Sequence, residues 1–186
     1  MMDDINNIFA KVGDKALQEA LASGYRTLFE SESYGIREAT KDEYDRCYLA
    51  VVENEVNLEY PEPCPERDEF RQECLDDAEH TWDIHLHAYT VDGTQLLVTV
   101  QNQDGSSYVY LVYVDENDRG KGYGTALLKK AIEDSPNGLS LHTNKHNVKA
   151  QALYKRLGFE EYPSVDDREI FMANRPGIGG NEWWEK

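Results

Sequence analysis

Apolar positions first recur at helical spacing. Ile5, Ile8, Phe9, Val12 and Ala16 fall on one stripe, which predicts an amphipathic helix over residues 3–22, ended by Ser23-Gly24. A first strand is expected at 34–39, followed by the capping-box pattern Thr40-Lys41-Asp42-Glu43. Tyr44, Cys47, Tyr48 and Val51 then mark a helix face, Pro61, Pro63 and Pro65 break the chain, and an acidic helix runs to about residue 80. The rhythm changes to alternation at 83–91 and 94–102, with Asp92-Gly93 between them as a hairpin signal. Tyr108-Val109-Tyr110-Leu111-Val112-Tyr113-Val114 is β-branched and aromatic throughout, as a buried strand is. Beyond it the pattern predicts a helix to Asp134, a strand at 139–143, a helix at 148–157, and strands near 159–163 and 168–173. The order is β-α-α-β-β-β-α-β-α-β-β. No internal repeat interrupts it.

Composition narrows the class. At 186 residues, with 40% hydrophobic content and 12 Tyr, the chain reads as one folded domain rather than a disordered segment. No apolar run approaches the ~20 residues of a membrane span. Met1-Met2-Asp3-Asp4 lacks the basic start of a signal peptide, so a cytoplasmic protein is expected. Cys47, Cys64 and Cys74 fit no disulfide framework and read as reduced thiols; no Cys-x-x-Cys pair anchors a metal site, and none is expected. His85 and His87 share a strand face by alternation and read as structural.

The formal charge is −17 and unevenly spread. Residues 1–80 hold 21 Asp/Glu against 8 Lys/Arg, whereas residues 115–159 hold 8 Lys/Arg against 5 Asp/Glu. The acidic half repels nucleic acid, so no direct nucleic-acid binding is expected, and it attracts cations. The basic region coincides with Arg119-Gly120-Lys121-Gly122-Tyr123-Gly124-Thr125. Tyr123, Leu127 and Ala131 stack at i, i+4 spacing, so a helix begins inside this glycine turn. Such a turn aims unpaired backbone N–H groups and the positive helix end outward, and Arg119 and Lys121 add two cations. These are the ingredients of a pyrophosphate site. The run is not a Walker loop, because no Gly-Lys-Ser/Thr closes it, and its third glycine comes one residue early for the dinucleotide fingerprint.

The loop resembles the acetyl-CoA loop of the GNAT acetyltransferase superfamily, Arg/Gln-x-x-Gly-x-Gly/Ala, matched by Arg119, Gly122 and Gly124. A second stretch is similar to the superfamily's downstream motif: Leu141-His142-Thr143-Asn144, then Asn147, a helix with Leu153-Tyr154, and Leu157-Gly158-Phe159. A third, Ile36 to Tyr44, is similar to the usual first strand and its turn into the first helix. The resemblance implies an α/β (α+β) fold, a mixed, twisted sheet of about seven strands with helices on both faces. It implies residues 1–33 as an N-terminal helical extension, 34–175 as the acetyltransferase domain and 176–186 as a flexible tail. The N-terminal helix is a packing appendage or a homodimer contact, and Trp183-Trp184 in the tail docks or stays disordered.

The same resemblance implies an acyltransferase moving acetyl from acetyl-CoA, as cosubstrate, to a primary amine of a cationic small molecule or protein. In relatives a bulge in the fourth strand aims a backbone N–H at the thioester carbonyl, a place that falls to Val112, Tyr113 and Val114. The pantetheine arm would lie between strands 108–114 and 139–143, and Asn147, also the expected N-cap, would contact it. Tyr154 matches the family's general acid, although Ala150, Leu153, Tyr154 and Leu157 form a stripe that also suits the core. Where ribosomal-protein N-terminal acetyltransferases carry a Glu base, this chain has His142, which can accept a proton at neutral pH or sit as a surface strand residue. The alternative function is a non-catalytic acidic protein on the same fold, mimicking nucleic acid for a basic partner.

Overall fold

The computed structural model describes residues 34–164 and 168–178. The helix expected at 3–22 and the Trp183-Trp184 segment lie outside the described residues. The elements are β1 (Arg37–Glu38), α1 (Lys41–Glu59), α2 (Pro65–Ile84), β2 (His85–Thr90), β3 (Gln95–Gln101), β4 (Ser107–Val114), a 3-10 turn (Glu116–Asp118), α3 (Tyr123–Glu133), β5 (Leu139–Asn144), α4 (Val148–Arg156), β6 (Glu160–Tyr162) and β7 (Glu169–Ala173). They follow the expected order and build one mixed seven-stranded sheet, β1-β2-β3-β4-β5-β7-β6. Among the described strands only β4 and β5 pair in parallel. No helix among the described residues is long and apolar enough to cross a membrane.

Each face of the sheet has its own core. On one, Leu127, Leu128 and Ala131 of α3 and Tyr154 of α4 pack on Leu97, Val109, Leu139, Leu141 and Met172. On the other, Tyr44, Cys47, Tyr48, Val52 and Val56 of α1 pack with α2 on Ala88, Leu96 and Val98. The capping box at α1 forms as expected, with Thr40 and Glu43 exchanging bonds. Glu43 also takes a bidentate bond from Arg37, which with the Thr40 N–H lowers its carboxyl to about 2.

Three local features differ from expectation. Helix α2 continues to Ile84, because Thr81 is buried and Trp82 packs its ring 4.9 Å from that of Tyr44. The β2–β3 connection takes four residues, Val91 to Thr94, with Gly93 at φ +86 and its N–H donating to Thr90 Oγ1. A register shift between His85 and His87 breaks strict alternation. His85 therefore stacks on Trp82 while His87 stacks on Tyr89 and meets Glu38 at 2.8 Å.

Thr99 of β3 is 1% exposed, and its hydroxyl has no hydrogen-bond partner among the described residues. An unpaired buried hydroxyl is costly, and its methyl isostere is not. Thr99→Val should raise stability by about 1 kcal/mol, a rise in Tm of roughly 2–4 °C for a chain of this size. Thermal unfolding followed by circular dichroism measures it, and a lower Tm would mean that the hydroxyl is paired after all.

Candidate active site

The site begins with a divergence of two strands. Parallel pairing of β4 with β5 joins Ser107 to Leu139, Tyr108 to Ser140 and Val109 to Leu141, and then stops. Past that point β5 remains paired with β7, from Ser140–Ala173 through Asn144–Glu169. Among the described residues, no strand pairs with the β5-facing edge of β4 beyond Val109. An open edge of this kind can accept an extended amide-bearing chain as an added strand.

A bulge accompanies the divergence. Thr99 faces Val109 and Val98 faces Leu111, so Tyr110 is an extra residue on β4. Tyr110 and Leu111 consequently both pack on the α1/α2 core, while Val109 and Val112 pack on the other. This corrects the expected position of the irregularity. Val112, Tyr113 and Val114 stay in register with Leu97, Leu96 and Gln95, and the irregularity lies at Tyr110. The bulge also places the Tyr110 hydroxyl on Asp77 of α2, which accepts a second bond from Tyr48 at 3.2 Å. Burial, then the Asp77 contact, pushes the Tyr110 phenol up to about 12.

Beyond Val114 the chain turns into the glycine loop. Asp115 caps the 3-10 turn through the Asn117 N–H, and Arg119 Nε donates to Val114 O at 3.3 Å. Gly120 and Gly122 take φ +81 and +92, backbone that favours glycine. Gly122 is the N-cap of α3, whose first turn holds no acidic residue. The N–H groups of Tyr123, Gly124 and Thr125 thus meet an uncompensated helix dipole. A Cβ on Gly124 would sit 3.7 Å from Val114 Cγ2 and 3.9 Å from Leu153 Cδ2, so α3, β4 and α4 converge there.

Among the described residues, only one of the two expected loop cations stands clear of carboxylates. Lys121 Nζ is 2.6 Å from Asp118 Oδ1, which raises the lysine and lowers the aspartate. Thr94 Oγ1 also donates to Asp118 at 3.1 Å, so this pair braces the loop against the β2–β3 turn. Arg119 is exposed and makes no ion pair among the described residues.

Tyr154 and His142 flank the divergence from opposite faces. Tyr154 projects from α4 into the α3/α4 core and is 9% exposed, with its ring 6.0 Å from that of Phe159. Its hydroxyl has no hydrogen-bond partner among the described residues, and burial raises its phenol above the ordinary value. The core reading and the donor reading of this residue therefore meet: the ring is core, and the hydroxyl is left over. His142 alternates with Leu141 to the other face, where its Nδ1 lies 3.2 Å from the Tyr108 hydroxyl and its ring 5.0 Å from that of Phe171. Tyr154 and His142 make no hydrogen bond or ring contact with each other. Tyr108 meets His142, its phenol raised first by burial and then by charges that include Glu169, Tyr110 and Tyr154. Asn147 caps α4, its Oδ1 accepting from the Ala150 N–H at 3.2 Å.

Comparison with known proteins gives the same frame. A short stretch of 57 residues is 42% identical to an uncharacterised N-acetyltransferase of Methanocaldococcus jannaschii, covering 28% of this chain and 25% of that protein. An acetyltransferase of Corynebacterium glutamicum related to a histone acetyltransferase is similar in structure, with TM-score 0.59 and 20% identity, over 77% of this chain and 97% of that one. The ribosomal-protein-S18-alanine N-acetyltransferase of Escherichia coli matches with TM-score 0.51 and 22% identity, over 79% of this chain and 96% of that one. At these identities the structural likeness is one of fold. The model of the acetyltransferase (GNAT) family matches residues 37–159, from β1 to the Phe159 that follows α4, and this chain belongs to that family.

Proposed function

We propose that the chain transfers an acetyl group from acetyl-CoA to a primary amine of a cationic small molecule or protein. The observation that supports this most directly is the open edge of β4 leading into a positive-φ loop at the start of α3, beside Tyr154, whose hydroxyl has no partner among the described residues. The loop N–H groups and Arg119 suit a pyrophosphate, with Asn147 beside the arm. The edge at Val112 to Val114 suits the pantetheine amides, and the bulge beside it supplies backbone N–H groups for the developing oxyanion. Attack of a neutral amine on the thioester carbon forms the C–N bond and breaks C–S. Tyr154, kept as a neutral phenol by burial, gives its proton to the departing thiolate. His142, directly or through water, takes the proton lost by the amine, and both groups re-equilibrate with solvent.

The acidic helices α1 and α2 favour a cationic acceptor. Glu53, Glu55, Glu66, Glu73 and Asp76 are among the carboxylates they carry. Calorimetry with CoA, followed by thiol release from acetyl-CoA over a panel of amines, tests the reading. We expect CoA binding and an acceptor whose apparent KM rises with salt, since exposed charges are screened beyond about 8 Å at physiological ionic strength. Absence of CoA binding would refute it, and binding without any transfer would favour the non-catalytic alternative.

A further inference from the structure

Glu169 begins β7, in register with Asn144 of β5 and two pairs beyond His142–Phe171. On an antiparallel ladder this makes Glu169 and His142 diagonal neighbours on one face, roughly 7–8 Å apart with their Cβ atoms somewhat closer. Glu169 is half-buried, and its carboxylate makes no hydrogen bond or ion pair among the described residues. It walls a cavity of about 470 Å³ whose lining includes Tyr162, Ile170, Glu161 and Lys145. Glu161 pairs with Lys155 at 3.4 Å. Glu169 is thus the carboxylate of this cavity that has no counterion among the described residues.

A row of rings leads from the cavity to the strand divergence. Tyr162 lies 6.2 Å from Phe171, Phe171 5.0 Å from His142, and His142 5.9 Å from Tyr108, centroid to centroid. Tyr108 is the residue before the last paired position of β4 with β5. Aromatic faces favour methylene chains and cations, and a half-buried carboxylate favours an ammonium.

Resting on the acetyl-transfer reading, we propose that Glu169 selects the acceptor by holding a second ammonium of a diamine-type substrate. The reacting amine of that substrate lies at the Tyr108–His142 end of the row. The roughly 7–8 Å diagonal suits amines joined by four or five methylenes.

The test is calorimetry of the CoA-loaded protein with 1,5-diaminopentane and with n-pentylamine. The wild type should prefer the diamine by about tenfold or more, the scale of one charge-assisted bond. Glu169→Gln should abolish that preference with CoA affinity unchanged. Glu69→Gln, on the exposed side of α2, should keep it. Equal or absent binding of the diamine in wild type, a preference surviving in Glu169→Gln, or one lost equally in Glu69→Gln would each overturn the proposal. Thiol release separates the two readings. Equal turnover of both amines would sink the role of Glu169 and leave acetyl transfer standing. Glu169-dependent diamine binding with no turnover of any amine would do the reverse.

Discussion

Gly122→Val is expected to lower CoA affinity by about 100-fold or more. Gly122 holds φ +92 at the N-cap of α3, where a β-branched residue is disfavoured by roughly 1–2 kcal/mol and moves the loop to relieve it. Displaced N–H groups then lose charge-assisted bonds to the pyrophosphate, each on the order of 1.5–3 kcal/mol, and every 1.4 kcal/mol is about tenfold in Kd. Gly122→Asn should keep more affinity, because Asn tolerates left-handed backbone. Gly124→Ala separates ligand approach from strain. Its Cβ would make only ordinary contacts with Val114 and Leu153, at 3.7 and 3.9 Å, so the fold should hold. Any loss of CoA affinity in that variant reports how close the ligand comes to the backbone. Calorimetry on variants with unchanged circular dichroism decides the matter. If Gly122→Val and Gly124→Ala both bind CoA as tightly as wild type, the loop is not the site.

Most of the architecture was legible because its signals are local. Glycine turns, caps and the change from helical to alternating spacing placed nearly every described element to within a few residues. The non-local contacts were not legible. Uniform apolar character hid the bulge in β4, since Tyr108 to Val114 reads as strand in any register. One trace was present: the tyrosines step by two from 108 to 110 and by three to 113, which is what an extra residue at Tyr110 requires. Nothing near Tyr110 in sequence announces Asp77, which reaches it from a different helix. Likewise the Lys121–Asp118 pair was visible only as two charges three apart, and its geometry changes which loop cation faces a ligand. Glu169 was missed because the expected carboxylate was sought on β5. Its place beside His142 depends on the β5–β7 register, which no local pattern encodes.

Tyr154→Phe should reduce kcat by about 10²–10⁴, the usual scale of a general acid, while CoA binding and stability stay nearly unchanged. The structure makes this substitution unusually clean. The ring is packed in the α3/α4 core, so Phe keeps its volume, and the hydroxyl that is removed has no partner among the described residues to leave stranded. A purely structural Tyr154 would therefore show no kinetic effect, or a small gain in stability. Burial holds the phenol protonated across the working range, so the loss should be present at neutral and mildly alkaline pH alike. His142→Ala should cost less, because water can take the proton, but it should flatten the acidic limb of the pH–rate profile. Tyr108→Phe distinguishes positioning from chemistry. Its hydroxyl meets His142 Nδ1 at 3.2 Å, so its loss should move that limb and lower kcat modestly without raising the KM for acetyl-CoA. Full activity in Tyr154→Phe would return the residue to the core. A pH profile identical in wild type, His142→Ala and Tyr108→Phe would move the proton acceptor to Asp77, the carboxylate that the β4 bulge brings onto Tyr110.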